Sequence, residues 1–135
     1  AAAWGEAWAF CHNGATDDLS GLSSAPDLRP RGSTDSERLF HHVLARLDPS
    51  DRRRSLGVIL GGLRGFTCLN SFLATAGRVT VYARAGLGTA RPRYYTLWHG
   101  TGEGLAIASS EPFPLRGVDW DAVPDGTCFE LNIDS

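Results

Sequence analysis

At 135 residues and a formal net charge of −2, the chain has the length of one domain and a near-neutral surface that does not attract nucleic acid or anionic lipid. Three widely spaced cysteines with no C-x-x-C pair, and four scattered histidines, argue against a disulfide framework and against a zinc pattern, so neither a metal nor a cofactor is expected. Residues 1–10, AAAWGEAWAF, have no basic leader and carry Glu6; they read as neither signal peptide nor membrane span, and the expected location is the cytoplasm.

Residues 7–12 read as a strand that ends in a His12-Asn13-Gly14 corner. Residues 15–33 form a polar connection punctuated by Gly21, Pro26, Pro30 and Gly32, long enough to serve as a lid or a site wall. Thr34-Asp35-Ser36-Glu37 then matches a capping box, in which the Thr hydroxyl and the Glu carboxylate each satisfy a backbone N–H of the opening turn. Leu39, Phe40, Val43, Leu44 and Leu47 recur at three- and four-residue steps, predicting a helix with one apolar face that stops near Asp48-Pro49. A second helix is predicted over residues 50–63, with Leu56, Ile59, Leu60 and Leu63 inward and three glycines weakening its propensity.

Beyond Phe66 the period changes to that of strands. Residues 67–75 and 78–84 form a hairpin around Ala76-Gly77. Residues 94–99 and 105–109 are strands flanking the glycine-rich stretch 100–104, and a last strand spans about 127–133 after Pro124-Asp125-Gly126. A helix pair followed by antiparallel-type strands predicts an α+β fold, helices packed on a mainly antiparallel sheet.

Asn13-Gly14 taken alone is a tight-turn dipeptide. The same pair at a strand end can aim a side-chain amide and a bare backbone N–H at one point, which suits a developing oxyanion. The downstream residues favour the second reading. Phe10, His12, Asn13 and Gly14, then Gly32, Thr34, Asp35, Ser36, Glu37, Leu39 and Phe40 opening a helix, occur in the order found in class II glutamine amidotransferases. Leu69, Asn70, Leu73 and Gly77, the Ile107–Pro112 segment IASSEP, and the W-x-x-V-P-x-G run before the last strand continue that order. The chain therefore resembles this family over nearly its whole length, with the compact amidohydrolase branch that includes the ergothioneine-pathway γ-glutamyl hydrolase as the closest likeness.

The resemblance implies an N-terminal-nucleophile αββα sandwich. It implies a γ-glutamyl amide such as glutamine as substrate, attacked by an N-terminal Cys through a thioester. Asn13 and Gly14 match the family's oxyanion donors, and Asp35 matches the carboxylate that pairs with the substrate α-ammonium, with His12 and Thr34 beside the substrate. At the first turn of a helix Asp35 is also ordinary start chemistry, stabilised by the positive end of the dipole. His12 and Cys11 are neighbours on a strand and point to opposite faces, so His12 is a poor base for Cys11, which is expected in the core. Ser109, Ser110 and Glu111 read equally well as a strand end stopped by Pro112. Gly86-Leu87-Gly88 and Gly61-Gly62 lack the lysine of a phosphate loop. Arg52, Arg53 and Arg54 read as a solvated face.

Residue 1 is Ala, and the family's nucleophile and its carboxylate-clamping arginine have no counterpart in this sequence. Residues 1–135 are therefore expected to be an incomplete class II glutamine amidotransferase-like domain, inactive alone, whose nucleophile comes from elsewhere. Its fold would be a partial αββα sandwich with an unpaired sheet edge open to association. The alternative expectation is a non-catalytic binding or assembly module derived from that fold.

Overall fold

The computed structural model describes residues 2–3, 5–13, 35–64, 66, 68–85 and 95–132. A short hairpin of β1 (Ala2–Ala3) and β2 (Glu6–Ala7) precedes strand β3 (Ala9–Asn13), and helices α1 (Asp35–Arg46) and α2 (Arg52–Gly61) follow. Six strands come next: β4 (Asn70–Thr75), β5 (Arg78–Ala83), β6 (Trp98–Gly102), β7 (Leu105–Ser109), β8 (Asp119–Ala122) and β9 (Thr127–Asn132).

The apolar stripe of α1 is buried as its spacing requires: Leu39 and Val43 are fully enclosed, Leu44 and Leu47 nearly so, and Phe40 packs against the same cluster. Fully burying one such leucine contributes about 1.5–3 kcal/mol, so this face outweighs any intrinsic helix propensity. The helix is stopped by Pro49, and Asp48 turns the chain by accepting hydrogen bonds from the Ser50 hydroxyl (2.6 Å) and the Ser50 N–H (3.0 Å). Those two bonds, the side-chain one first, hold the Asp48 carboxyl below its ordinary pKa.

Helix α2 is poorly started. Its Asp51 N-cap makes no side-chain cap bond, and its first turn carries arginines and no acid, against the helix dipole. Its far end is secured by tertiary contacts: the Arg84 guanidinium donates to the carbonyls of Gly61 (2.7 Å) and Leu60 (3.3 Å), the C-terminal groups a helix leaves unpaired. Leu56 and Leu60 anchor its inner side. The arginine run is not uniformly solvated: Arg53 and Arg54 are exposed, but the Arg52 side chain is only 14% exposed, paired with Glu6 at 3.3 Å and lying 5.0 Å from the Trp8 ring centroid.

Strands β3, β4, β5 and β9 form an antiparallel sheet in that spatial order, and β7, β6 and β8 form a second one. The β4–β5 turn is made by Gly77 at φ +74°, a left-handed conformation suited to glycine. One face of the first sheet carries Phe10, Leu73 and Tyr82 against α1 and α2, with Trp8 closing the same cluster. The other carries Phe72, Val81, Phe129 and Leu131 against Leu97, Ala108 and Val123 from around the second sheet. The described residues thus form a mixed helix and antiparallel-sheet fold in three layers: helices, sheet, sheet.

Two elements differ from expectation here. The strand expected over 94–99 instead spans Trp98–Gly102, running into the glycine-rich stretch so that only Glu103-Gly104 turn. A Cβ on Gly100 would lie 2.9 Å from a Val118 methyl, and one on Gly102 would lie 2.7 Å from the Gly117 carbonyl oxygen, so these glycines admit the chain leading into β8. Strand β8 is an addition to the expected elements: Asp-Trp-Asp-Ala alternates polar and apolar, but four residues are too few for that period to stand out. No helix among the described residues is long and apolar enough to cross a membrane.

Candidate active site

Strand β3 has a period of two, and its register fixes which side chains face where. His12 stands opposite Ser71, whose own partner across β5 is Tyr82, so His12 shares the helix-covered face with Phe10. Asn13 stands opposite Asn70 at the end of the strand, on the other face, and is exposed. Among the described residues no hydrogen bond engages the Asn13 side chain. An exposed carboxamide at a strand end is available to a ligand in a way that a buried one is not.

Cys11 lies on the same face as Asn13 and is exposed, which corrects the expectation of a core thiol. The physical reason is its place on the outermost strand of the sheet among the described residues: the second apolar cluster gathers over β4, β5 and β9 and does not include it. Partial burial still pushes the Cys11 thiol up from its ordinary pKa, away from nucleophilic character at neutral pH. Burial raises the other two thiols as well, Cys68 against the core and Cys128 to about 11, and all three cysteines are free. Burial thus acts against thiolate formation at each of the three.

Asp35 is the first residue of α1, and α1 packs on β3. Ser36, the next residue, lies 2.7 Å from His12 Nδ1 through its hydroxyl, a hydrogen bond between groups 24 residues apart in sequence. Phe40, one turn further along α1, stacks on Phe10 with centroids 5.6 Å apart and planes 8° from parallel. The start of α1 and the end of β3 are thereby tied together by a polar and an aromatic contact. Gly14, Thr34 and the 15–33 connection lie outside the described residues. So the structure brings His12 to the residue beside Asp35, and places Asn13 one residue further along the strand.

Two residues gained a role that spacing did not announce. The Asn70 side chain, 2% exposed, donates to the Tyr95 carbonyl (2.7 Å) and accepts from the Arg84 N–H (3.1 Å), closing the strand end opposite Asn13. Ser36 was legible only as part of a helix start. Ser109 and Glu111 form a local turn, the Glu111 N–H donating to the Ser109 hydroxyl at 3.3 Å, which matches the strand-end reading. A concavity of about 660 Å³ lies elsewhere, between α1 and α2, walled by His42, Arg46, Ile59 and Leu63, and it touches neither His12 nor Asn13.

Comparison with known proteins follows the same lines. Residues 2–81 match the family described as glutamine amidotransferases class-II. Among solved structures, the fold is similar, with a TM-score of 0.73, to the 2.0 Å crystal structure of a predicted glutamine amidotransferase from Pseudomonas aeruginosa PA01. Sequence identity to it is 15%, and the match covers 100% of this chain and 61% of that one. The chain thus spans less than two thirds of the length of that protein. No curated protein matches it significantly. With the family matched over more than half of its residues and the fold shared along its length, the chain belongs to the class-II glutamine amidotransferases.

Proposed function

We propose that the protein containing this chain acts on a γ-glutamyl amide such as glutamine, through a Cys thioester, within an αββα N-terminal-nucleophile sandwich. The nucleophilic Cys and the arginine that clamps the substrate carboxylate come from outside these 135 residues. That reading is supported by the raised pKa of every thiol present and by the 61% span of the similar structure. The edge of β3, which pairs only with β4 among the described strands, is where further strands of the domain, or a second chain, would add. Three free thiols fit a reducing compartment such as the cytoplasm.

In this reading the Cys thiolate adds to the γ-amide carbon and the carbonyl electron pair moves to oxygen. The Asn13 amide N–H and the Gly14 backbone N–H donate to that oxygen. As the tetrahedral species collapses, the C–N bond breaks, ammonia leaves with the proton taken from the thiol, and water then cleaves the thioester to release glutamate. Asp35 holds the substrate α-ammonium, with Thr34 beside it and His12 reaching that side through its bond to Ser36. The observation that carries the proposal is the 2.7 Å Ser36–His12 contact, because its two partners are the sequence neighbours of Asp35 and Asn13.

The test measures glutamate release by the full-length protein from glutamine and from γ-glutamyl thioether compounds of the ergothioneine-pathway type. Asn13→Ala is expected to lower kcat by about 10²–10³-fold, the usual cost of one oxyanion donor. Asp35→Ala is expected to raise KM. Full turnover in both variants would overturn the assignment. A second reading, a non-catalytic binding or assembly module, draws on the absence of an activated thiol among the three cysteines and predicts glutamine binding without glutamate release.

A further inference from the structure

We infer that the Ser36–His12 pair is a strut that sets the spacing between the oxyanion donor and the ammonium-binding carboxylate, and that His12 is a positioning residue. The inference rests on the reading of Asn13 and Asp35 given above and adds to it a reason why two such groups stay in register.

The geometry has two parts. First, Asn13 ends β3, Asp35 begins α1, and these two elements pack on each other. A reacting-group displacement of about 1 Å is enough to cost about 10²-fold in rate, so their relative placement matters. Second, the hydroxyl of Ser36 meets His12 Nδ1 at 2.7 Å on the helix-covered face, and Phe10 stacks on Phe40 beside it. His12 also lies 6.1 Å from the Phe10 ring centroid, with the rings 26° from parallel. A half-buried imidazole seated against an aromatic pair and bonded to a helix start has few rotamers open to it. Each partner is one residue from a proposed site group, so a shift of α1 along β3 displaces Asn13 and Asp35 relative to one another.

His12 points away from the face that presents Asn13, which separates a positioning role from direct contact with the reacting amide. Severing the strut is therefore expected to act on both site groups at once. It lowers kcat through the oxyanion donor and raises KM through the ammonium site. A change that only loosened the fold would lower the amount of active protein and leave KM where it was.

The experiment uses the full-length protein with glutamine as substrate. Because removing His12 can compromise folding, the decisive pair is Ser36→Thr against Ser36→Val, side chains of one shape that differ in the hydroxyl. Ser36→Thr is expected to keep kcat/KM within about threefold, and Ser36→Val to lose about tenfold or more with a rise in KM. His12→Asn retains a polar atom at the Nδ1 position and is expected to recover much of what His12→Ala loses. The double variant His12→Ala/Ser36→Ala is expected to be no worse than the poorer single variant. Equal kcat/KM in Ser36→Thr and Ser36→Val, or losses in the double variant that multiply, would overturn the strut. Failure of the underlying reading would show separately, as full turnover in Asn13→Ala.

Discussion

Asn70 stands directly opposite Asn13 across the β3–β4 pair, and the two carboxamides occupy contrary environments: Asn13 is exposed, while Asn70 is 2% exposed with both ends of its amide hydrogen-bonded. The proposed function gives Asn13 a chemical role, whereas the bonds of Asn70 hold structure. Asn70→Leu is therefore expected to destabilise the fold by about 2–4 kcal/mol, because it leaves the Arg84 N–H and the Tyr95 carbonyl without their partner. Denaturant unfolding of the wild type and variant measures the difference.

Asn13→Ala makes the opposite case. With the side chain exposed and unengaged among the described residues, stability is expected to change by no more than about 0.5 kcal/mol. The same variant in the full-length protein is expected to lose about 10²–10³-fold in kcat. A large fall in unfolding midpoint with unchanged turnover would reverse the assignment.

Arg84 closes the C-terminal end of α2 and lies 4.9 Å from the Phe66 ring centroid. Arg84→Met is expected to cost about 1–2 kcal/mol, from lost charge-assisted bonds to the terminal carbonyls. Arg84→Lys keeps the charge without the planar fork and is expected to recover only part of it. Thermal unfolding of the two variants, ranked against the wild type, checks this order.

Gly102→Ala places a methyl 2.7 Å from the Gly117 carbonyl oxygen, a backbone atom that cannot rotate away. The expected cost is about 1–3 kcal/mol, the range for overpacking. Gly104→Ala serves as a comparison with a different cause: a Cβ there meets nothing within 4 Å, and the residue sits at φ +64°, so its expected cost of about 1–2 kcal/mol is conformational. Hydrogen exchange on β6 and β8 should rise in Gly102→Ala and stay confined to the β6–β7 turn in Gly104→Ala.

Cys128 sets a pH dependence at the alkaline end. Burial raises its pKa from 9.0 to about 11 in the folded protein. Between those values the unfolded chain releases the proton and the folded one keeps it, so the unfolded state binds fewer protons and stability falls as pH rises. The contribution is intact below pH 9 and lost as pH passes about 11. Cys128→Val is expected to flatten the stability profile across that window, as measured by denaturant titrations at successive pH values. Thiol labelling near pH 8 should reach exposed Cys11 before buried Cys68.

What the amino-acid order determined on its own was local. The three- and four-residue recurrence of Leu39, Val43, Leu44 and Leu47 announced α1 and its inner face, because a helix brings residues of that spacing to one side whatever covers them. The β4–β5 hairpin followed from Gly77, and the strand leading into the His12-Asn13 corner was legible too, its end expected at His12 and found at Asn13. What only tertiary structure decided was which surface each face meets. The alternation in β3 separates Cys11 from His12 but does not tell which side the helices cover, so Cys11 was expected inside and is exposed. Arg52 was expected in solvent and lies against Trp8, because Trp8 is far away in sequence. Gly100 and Gly102 fall beyond the strand expected over 94–99 yet belong to β6, where the chain of β8 lies against them, and β8 itself is too short to announce a strand. Ser36 and His12 meet across 24 positions of sequence. Periodicity is a property of one element, whereas a contact belongs to two, and the distance between them is set by the packing of everything else.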